Sequence, residues 1–117
     1  MVPIDPPARV EVDENRRYIA VNDAACELLG YSRAELLSMT IDDISFPSGA
    51  HVPPMYWQFL RDGEMRGRFA LQRKSGEVIW INFHSEVVDG RSVAVWTEYE
   101  VWQSPPQAAS PVRYEMK

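Results

Sequence analysis

The chain has 117 residues, 45% hydrophobic and 25% charged, with a formal net charge of −5. That length holds one domain with a real core but not two, and the composition excludes global disorder. The acidic balance disfavours a nucleic-acid surface, no apolar run is long enough to span a membrane, and the single cysteine, Cys26, excludes an internal disulfide.

Residues 1–8 are proline-rich, lack the apolar core of a secretion signal and read as an extended lead-in. A cytoplasmic setting follows as the expectation, in keeping with the cysteine usage. Arg9 to Asp13 alternates at Val10 and Val12 and reads as a strand. Asp13-Glu14-Asn15 supplies a turn, and Arg16 to Asn22, carrying Tyr18, Ile19 and Val21, reads as the returning strand of a hairpin.

A compact helix follows, capped by Asn22 or Asp23 and closed at Gly30. Ser32 with Glu35 three residues on is a capping box that opens a second short helix, with Leu36 and Leu37 inward. Thr40 heads a brief helical turn ending at Ile44, and 46–50 is a Pro/Ser/Gly loop. Pro53 and Pro54 suit the first turn of a helix, where a missing N–H costs nothing. That helix is expected over about Pro54 to Arg61, with Met55, Phe59 and Leu60 on its inner stripe and Asp62-Gly63 as its stop.

The period then changes from helical to alternating. Met65 to Arg73 places Phe69 and Leu71 on one face and Arg66, Arg68 and Gln72 on the other. Lys74-Ser75-Gly76-Glu77 is a hairpin turn, Val78 to Val88 a long strand, Asp89-Gly90 a second tight turn, and Arg91 to Trp102 the last strand.

Asn22 at a strand end, the helix DAACELLGYS, the Glu35-Leu36-Leu37 of the next helix, and Arg73-Lys74-Ser75-Gly76-Glu77 before a strand carrying Trp80 stand in the order and spacing of a PAS domain. On these residues the chain resembles that family over about 9–102, which leaves 103–117 as a Pro-rich linker or tail. The resemblance implies an α+β fold: a five-stranded antiparallel sheet in the order 2-1-5-4-3, with short helices on one face. It also implies a sensory module that holds haem, flavin or a small organic ligand between sheet and helices, and that is coupled to a downstream or partner effector domain. Glu98-Tyr99-Glu100 departs from the Asp-Ile-Thr with which the family often ends its sheet. The Asn-Cys-Arg-Phe-Leu-Gln motif of flavin-binding relatives is missing, so Cys26 reads as a small hydrophobe. His51 stands near where haem-binding relatives place their iron ligand, but in a Pro/Gly loop it reads as a surface residue. Neither cofactor is therefore expected, and the two histidines and one cysteine show no metal-ligand spacing.

Strand side chains alternate between faces. Strict alternation puts Ile79, Ile81, Phe83 and Ser85 with Val93, Val95, Thr97 and Tyr99 inside. Ile19, Val21, Met55, Phe59, Phe69 and Leu71 join them around a cavity for a small apolar ligand. Ser85, Thr97 and Tyr99 are then the polar groups that orient it. The opposite face receives Trp80, Asn82, His84, Trp96 and Glu98, and two neighbouring tryptophans there read as a surface for a homodimer or for a packed N-terminal segment. The rival readings are a ligand-free PAS-type dimeriser and a small cone-shaped, isomerase-like enzyme. The enzyme requires an inward carboxylate, which the expected set lacks.

Overall fold

The computed structural model of the chain describes residues 1–46 and 52–103, with 52–55 described by backbone alone. The chain runs β1 (Val2–Val12), β2 (Tyr18–Val21), α1 (Asp23–Leu29), α2 (Arg33–Leu36), α3 (Ile41–Ile44), α4 (Val52–Asp62), β3 (Glu64–Gln72), β4 (Val78–Val88) and β5 (Arg91–Val101). The strands form one five-stranded sheet in the order β2-β1-β5-β4-β3, with every neighbouring pair antiparallel. This is the expected order.

Local chemistry sets the helix ends. Asn22 caps α1 by accepting the Ala25 N–H, and Gly30 closes it in the left-handed region at φ 81°. Ser32 and Glu35 exchange the two hydrogen bonds of a capping box at the start of α2. Ahead of α3 the Thr40 N–H donates to Asp43 Oδ2 at 2.9 Å. Pro53 and Pro54 fall in the first turn of α4, as expected.

The core lies between the inner sheet face and the helices. Leu29 and Leu36 from the helices meet Val10, Val12, Ile79 and Ile81 from the sheet, all of them buried. A half-buried pair, Arg16 and Asp42, ties the turn after β1 to α3 through two side-chain hydrogen bonds of 2.9 and 3.0 Å.

Two bulges break the alternation on which the expected faces relied. In β5, Asn82 pairs with Glu98 but Phe83 pairs with Trp96, so Thr97 is an extra residue. Beyond it the strand's phase is reversed. Trp96 therefore faces inward and is only 4% exposed, while Thr97 is exposed and Val95 lies on the outer face opposite His84. The expected outward pairing of Trp96 with Trp80 is thus corrected. In β2, Glu11 pairs with Ala20 but Val12 pairs with Tyr18, which leaves Ile19 as the extra residue. Tyr18 turns in and Ile19 turns out, 45% exposed, against the expectation that Ile19 lines the cavity.

Residues 1–8, expected as a lead-in, belong mostly to β1. Val2 pairs with Tyr99 and Pro3 with Glu98, and pairing resumes at Ala8 with Trp96. Ile4 to Pro7 bulge between these pairs, where Pro6 and Pro7 have no N–H to give the ladder. The tail beyond 103 lies outside the described residues.

Candidate functional site

The inner face and the helices line a partly open cavity of about 70 Å³. The sheet supplies Val10, Val12 and Tyr18 from the first hairpin, Met65, Phe69 and Leu71 from β3, Ile81, Phe83 and Ser85 from β4, and Ser92, Ala94 and Trp96 from β5. Ile41 of α3 and Tyr56 and Phe59 of α4 cover it. Phe69 and Phe83 meet edge to face, with ring centroids 6.4 Å apart, and hold one wall.

No charged side chain stands among the described lining residues. The polar groups are two phenols, two serine hydroxyls and the Trp96 indole N–H. Tyr56 Oη donates to the Asp13 carbonyl at 3.2 Å, and the Ser92 side chain hydrogen-bonds to the same phenol. Burial pushes the Tyr56 hydroxyl up from its ordinary value, and nearby Asp13 adds to this. Burial pushes Tyr18 up as well, and Asp42 and Asp43 add to it. Both stay neutral phenols across the physiological range. Ser85 is 7% exposed and faces the same space.

Of the expected cavity residues, Phe59, Phe69, Leu71, Ile81, Phe83 and Ser85 line it. Val21 is buried in the core without lining the cavity, and Tyr99 packs beside the core with the Arg73 guanidinium 5.2 Å from its ring centre. Ile19, Val95 and Thr97 point away for the reason given above. The Met55 side chain and His51 lie outside the described residues. Tyr56 was legible as the residue one helical turn before Phe59. Trp96, Ala94 and Ser92 were hidden by the Thr97 bulge.

The outer face carries Trp80, Asn82, His84 and Glu98, as expected, without Trp96. Trp80 stacks on Trp102 with ring centroids 4.8 Å apart, and the Arg68 guanidinium lies 5.1 Å from the Trp80 ring centre. Phe46 reaches the same cluster, since its N–H donates to the Ala70 carbonyl on β3 and its ring meets Trp102 edge to face at 5.9 Å. Asn82 Nδ2 donates to Glu98 Oε1 at 2.9 Å. At the other end, Glu64, His84 and Glu86 bring potential metal-ligand atoms within 4.8 Å of one another, a grouping made by two strands and invisible to linear spacing. The Arg66 guanidinium, 3.8 Å from Glu64, already supplies a cation there.

With fold and cavity in place, comparison with known proteins decides the family. The family described as PAS domain matches residues 8–99. The chain belongs to the PAS domain family. No curated protein matches it. Among solved structures, a PAS domain from a two-component sensor histidine kinase is 23% identical, with a TM-score of 0.67, over 80% of this chain and 85% of that one. A domain of a sensory box sensor histidine kinase/response regulator from Geobacter sulfurreducens is 19% identical at a TM-score of 0.70, over 79% of this chain and 82% of that one. The PAS domain of a LuxR-family transcriptional regulator from Burkholderia thailandensis, in complex with ethanol, is 17% identical at 0.67, over 85% and 91%.

Among the described residues, the space of about 70 Å³ is too small for haem or flavin. Pockets for drug-sized ligands start at roughly 300 Å³, several times the space in this PAS domain. Among the described residues, no helix is long and apolar enough to cross a membrane.

Proposed function

We propose that this PAS domain is a sensory module of cytoplasmic signal transduction, of the kind used in two-component and transcriptional regulation. Its cavity takes a small, mostly apolar ligand. Occupancy shifts the packing of helices against sheet, and a partner or downstream effector domain reads the shift. Two copies pair through the outer sheet face.

One observation carries the reading. The cavity is walled on one side by the sheet and on the other by α3 and α4, so an occupant contacts both layers. A ligand that binds one arrangement of these layers better than another moves the equilibrium between them. The described lining holds no carboxylate or histidine, which favours a sensor over an isomerase-like enzyme that needs a buried base. The names of the similar proteins, two sensor kinases and a transcriptional regulator, support the same class. The ethanol held by the last of them supports a ligand of that scale.

Native mass spectrometry and an absorption spectrum of freshly purified protein test the ligand. A co-purified small mass, or a thermal shift with small organic solutes, is the expected result. A clean apo mass that no small solute stabilises overturns the ligand reading. Dimerisation is tested on Val95→Glu, because a charge at buried Trp96 would unfold the domain. A wild type that runs as a monomer in light scattering, or a variant that still dimerises equally well, removes the pairing.

The second reading is a ligand-free dimerisation module. The small cavity favours it, as does the Trp80–Trp102 stack on the outer face.

A further inference from the structure

The cavity's polar groups are not equivalent. Tyr56, Ser92 and the Asp13 carbonyl satisfy one another on the helix side. The Tyr18 hydroxyl, the Trp96 indole N–H and Ser85 stay outside this set, and Ser85 is the aliphatic hydroxyl among them. It sits on the inner face of β4, directly across from Ala94 on β5 and Met65 on β3. It is more than nine-tenths buried, and among the described residues its hydroxyl has no hydrogen-bond partner. Its Oγ opens onto the cavity, where it can exchange a hydrogen bond with an occupant, which alanine could not do. Among the described residues, the position therefore leaves a hydrogen bond open to an occupant of the cavity.

The size and charge of the space limit what can bring it. About 70 Å³ is near half the void of ~150 Å³ that accepts benzene. That leaves room for about three or four non-hydrogen atoms. An ionised group would lie unpaired, because the described lining carries no charge to meet it. The remaining wall is aliphatic and aromatic, with Phe83 and Ile81 as the next inward positions of β4 beyond Ser85.

Resting on the ligand reading above, we infer that Ser85 is the polar anchor for a short neutral amphiphile. That is a short-chain alcohol, aldehyde or ketone whose oxygen bonds the Ser85 hydroxyl and whose alkyl body lies along Phe83 and Ile81. A bound water is the rival occupant.

The test follows backbone amide resonances of the ¹⁵N-labelled full chain during titration with 1-propanol and, separately, with xenon. Wild type, Ser85→Ala, and Ser75→Ala in the exposed turn are compared. The inference expects saturable propanol shifts confined to amides around the cavity, at Phe83, Ser85 and Ala94. Ser85→Ala weakens them about three- to tenfold, the worth of one hydrogen bond. Ser75→Ala leaves them unchanged, and xenon binds wild type and Ser85→Ala alike. Equal propanol affinity in Ser85→Ala overturns the anchor. Xenon binding without saturable propanol binding overturns this inference and leaves the ligand reading standing. Binding of neither probe leaves water as the occupant and overturns both.

Discussion

Asn22 holds Arg9: its side-chain oxygen accepts the Arg9 backbone N–H at 3.0 Å while also accepting that of Ala25 at 3.0 Å. Its own N–H donates to the Arg9 carbonyl at 3.0 Å, and its amide nitrogen donates to the Pro7 carbonyl at 3.1 Å. One residue thus ends β2, caps α1 and fastens both to β1. Asn22→Ala removes the cap and leaves a strand N–H unmatched, at a cost of about 1–3 kcal/mol. Asn22→Asp keeps both accepted bonds, loses the donor to Pro7, and falls in between. Urea unfolding of the three proteins checks the order, and an alanine variant as stable as wild type refutes it.

The Thr97 bulge gives a sharper contrast. Thr97 is exposed and has no partner on β4, so Thr97→Ala stays within about 0.5 kcal/mol of wild type. Deleting Thr97 forces either Trp96 out of the core or Tyr99 off its pairing with Ile81. Losing a buried indole alone costs about 3–5 kcal/mol. Thermal unfolding of the two variants decides, and a deletion variant that melts with wild type shows that the bulge does not set the faces.

Gly30 is required for its backbone rather than for space. An added Cβ would lie 3.7 Å from Lys74 Cβ, an ordinary contact, but φ is +81°. Gly30→Ala is therefore destabilised by about 1–2 kcal/mol through the left-handed conformation. Gly30→Asn costs less, because asparagine tolerates that region better. Equal losses in the two variants would point to crowding instead.

Acid should act through Glu35. The Lys74 ammonium, donating at 2.7 Å, and then the Ser32 backbone N–H hold its carboxyl below the ordinary 4.5. Folded Glu35 therefore binds its proton more weakly than unfolded Glu35. Its contribution is complete above pH 4.5 and disappears as pH falls through the lower folded value. Glu35→Gln is less stable than wild type at neutral pH, and the gap narrows below that carboxylate value and closes in stronger acid. Urea midpoints measured against pH test this, and a gap that stays constant assigns the effect to something other than charge. Added salt narrows the gap at neutral pH as well.

Where local chemistry decides, the sequence was readable. Asn22, Gly30, the Ser32–Glu35 box and the Asp89-Gly90 turn each act within a few residues, and their elements stand where those residues put them. The β4 alternation also held, because that strand runs unbulged against β3 from Glu64 to Gln72. The β5 and β2 faces failed past one extra residue each. Whether a strand carries an extra residue depends on the strand beside it, and a period-two count along one strand carries no such information. Half of the expected cavity survived because Phe59, Phe69, Leu71, Ile81, Phe83 and Ser85 lie on elements without a phase change. The proline-rich start looked too poor in N–H donors to join a sheet, yet Val2 and Pro3 pair with β5 before the Ile4–Pro7 bulge and Ala8 pairs with it after.

Trp102 has a mechanical consequence. Its indole leans on Trp80 of the sheet and on Phe46, two residues past the end of α3, while its N–H donates to the Val78 carbonyl. A tug on the chain beyond this point bears at once on β4 and on the segment that follows α3 over the cavity. The exit of the domain is thus a fulcrum shared by both layers, rather than a loose thread hanging from one.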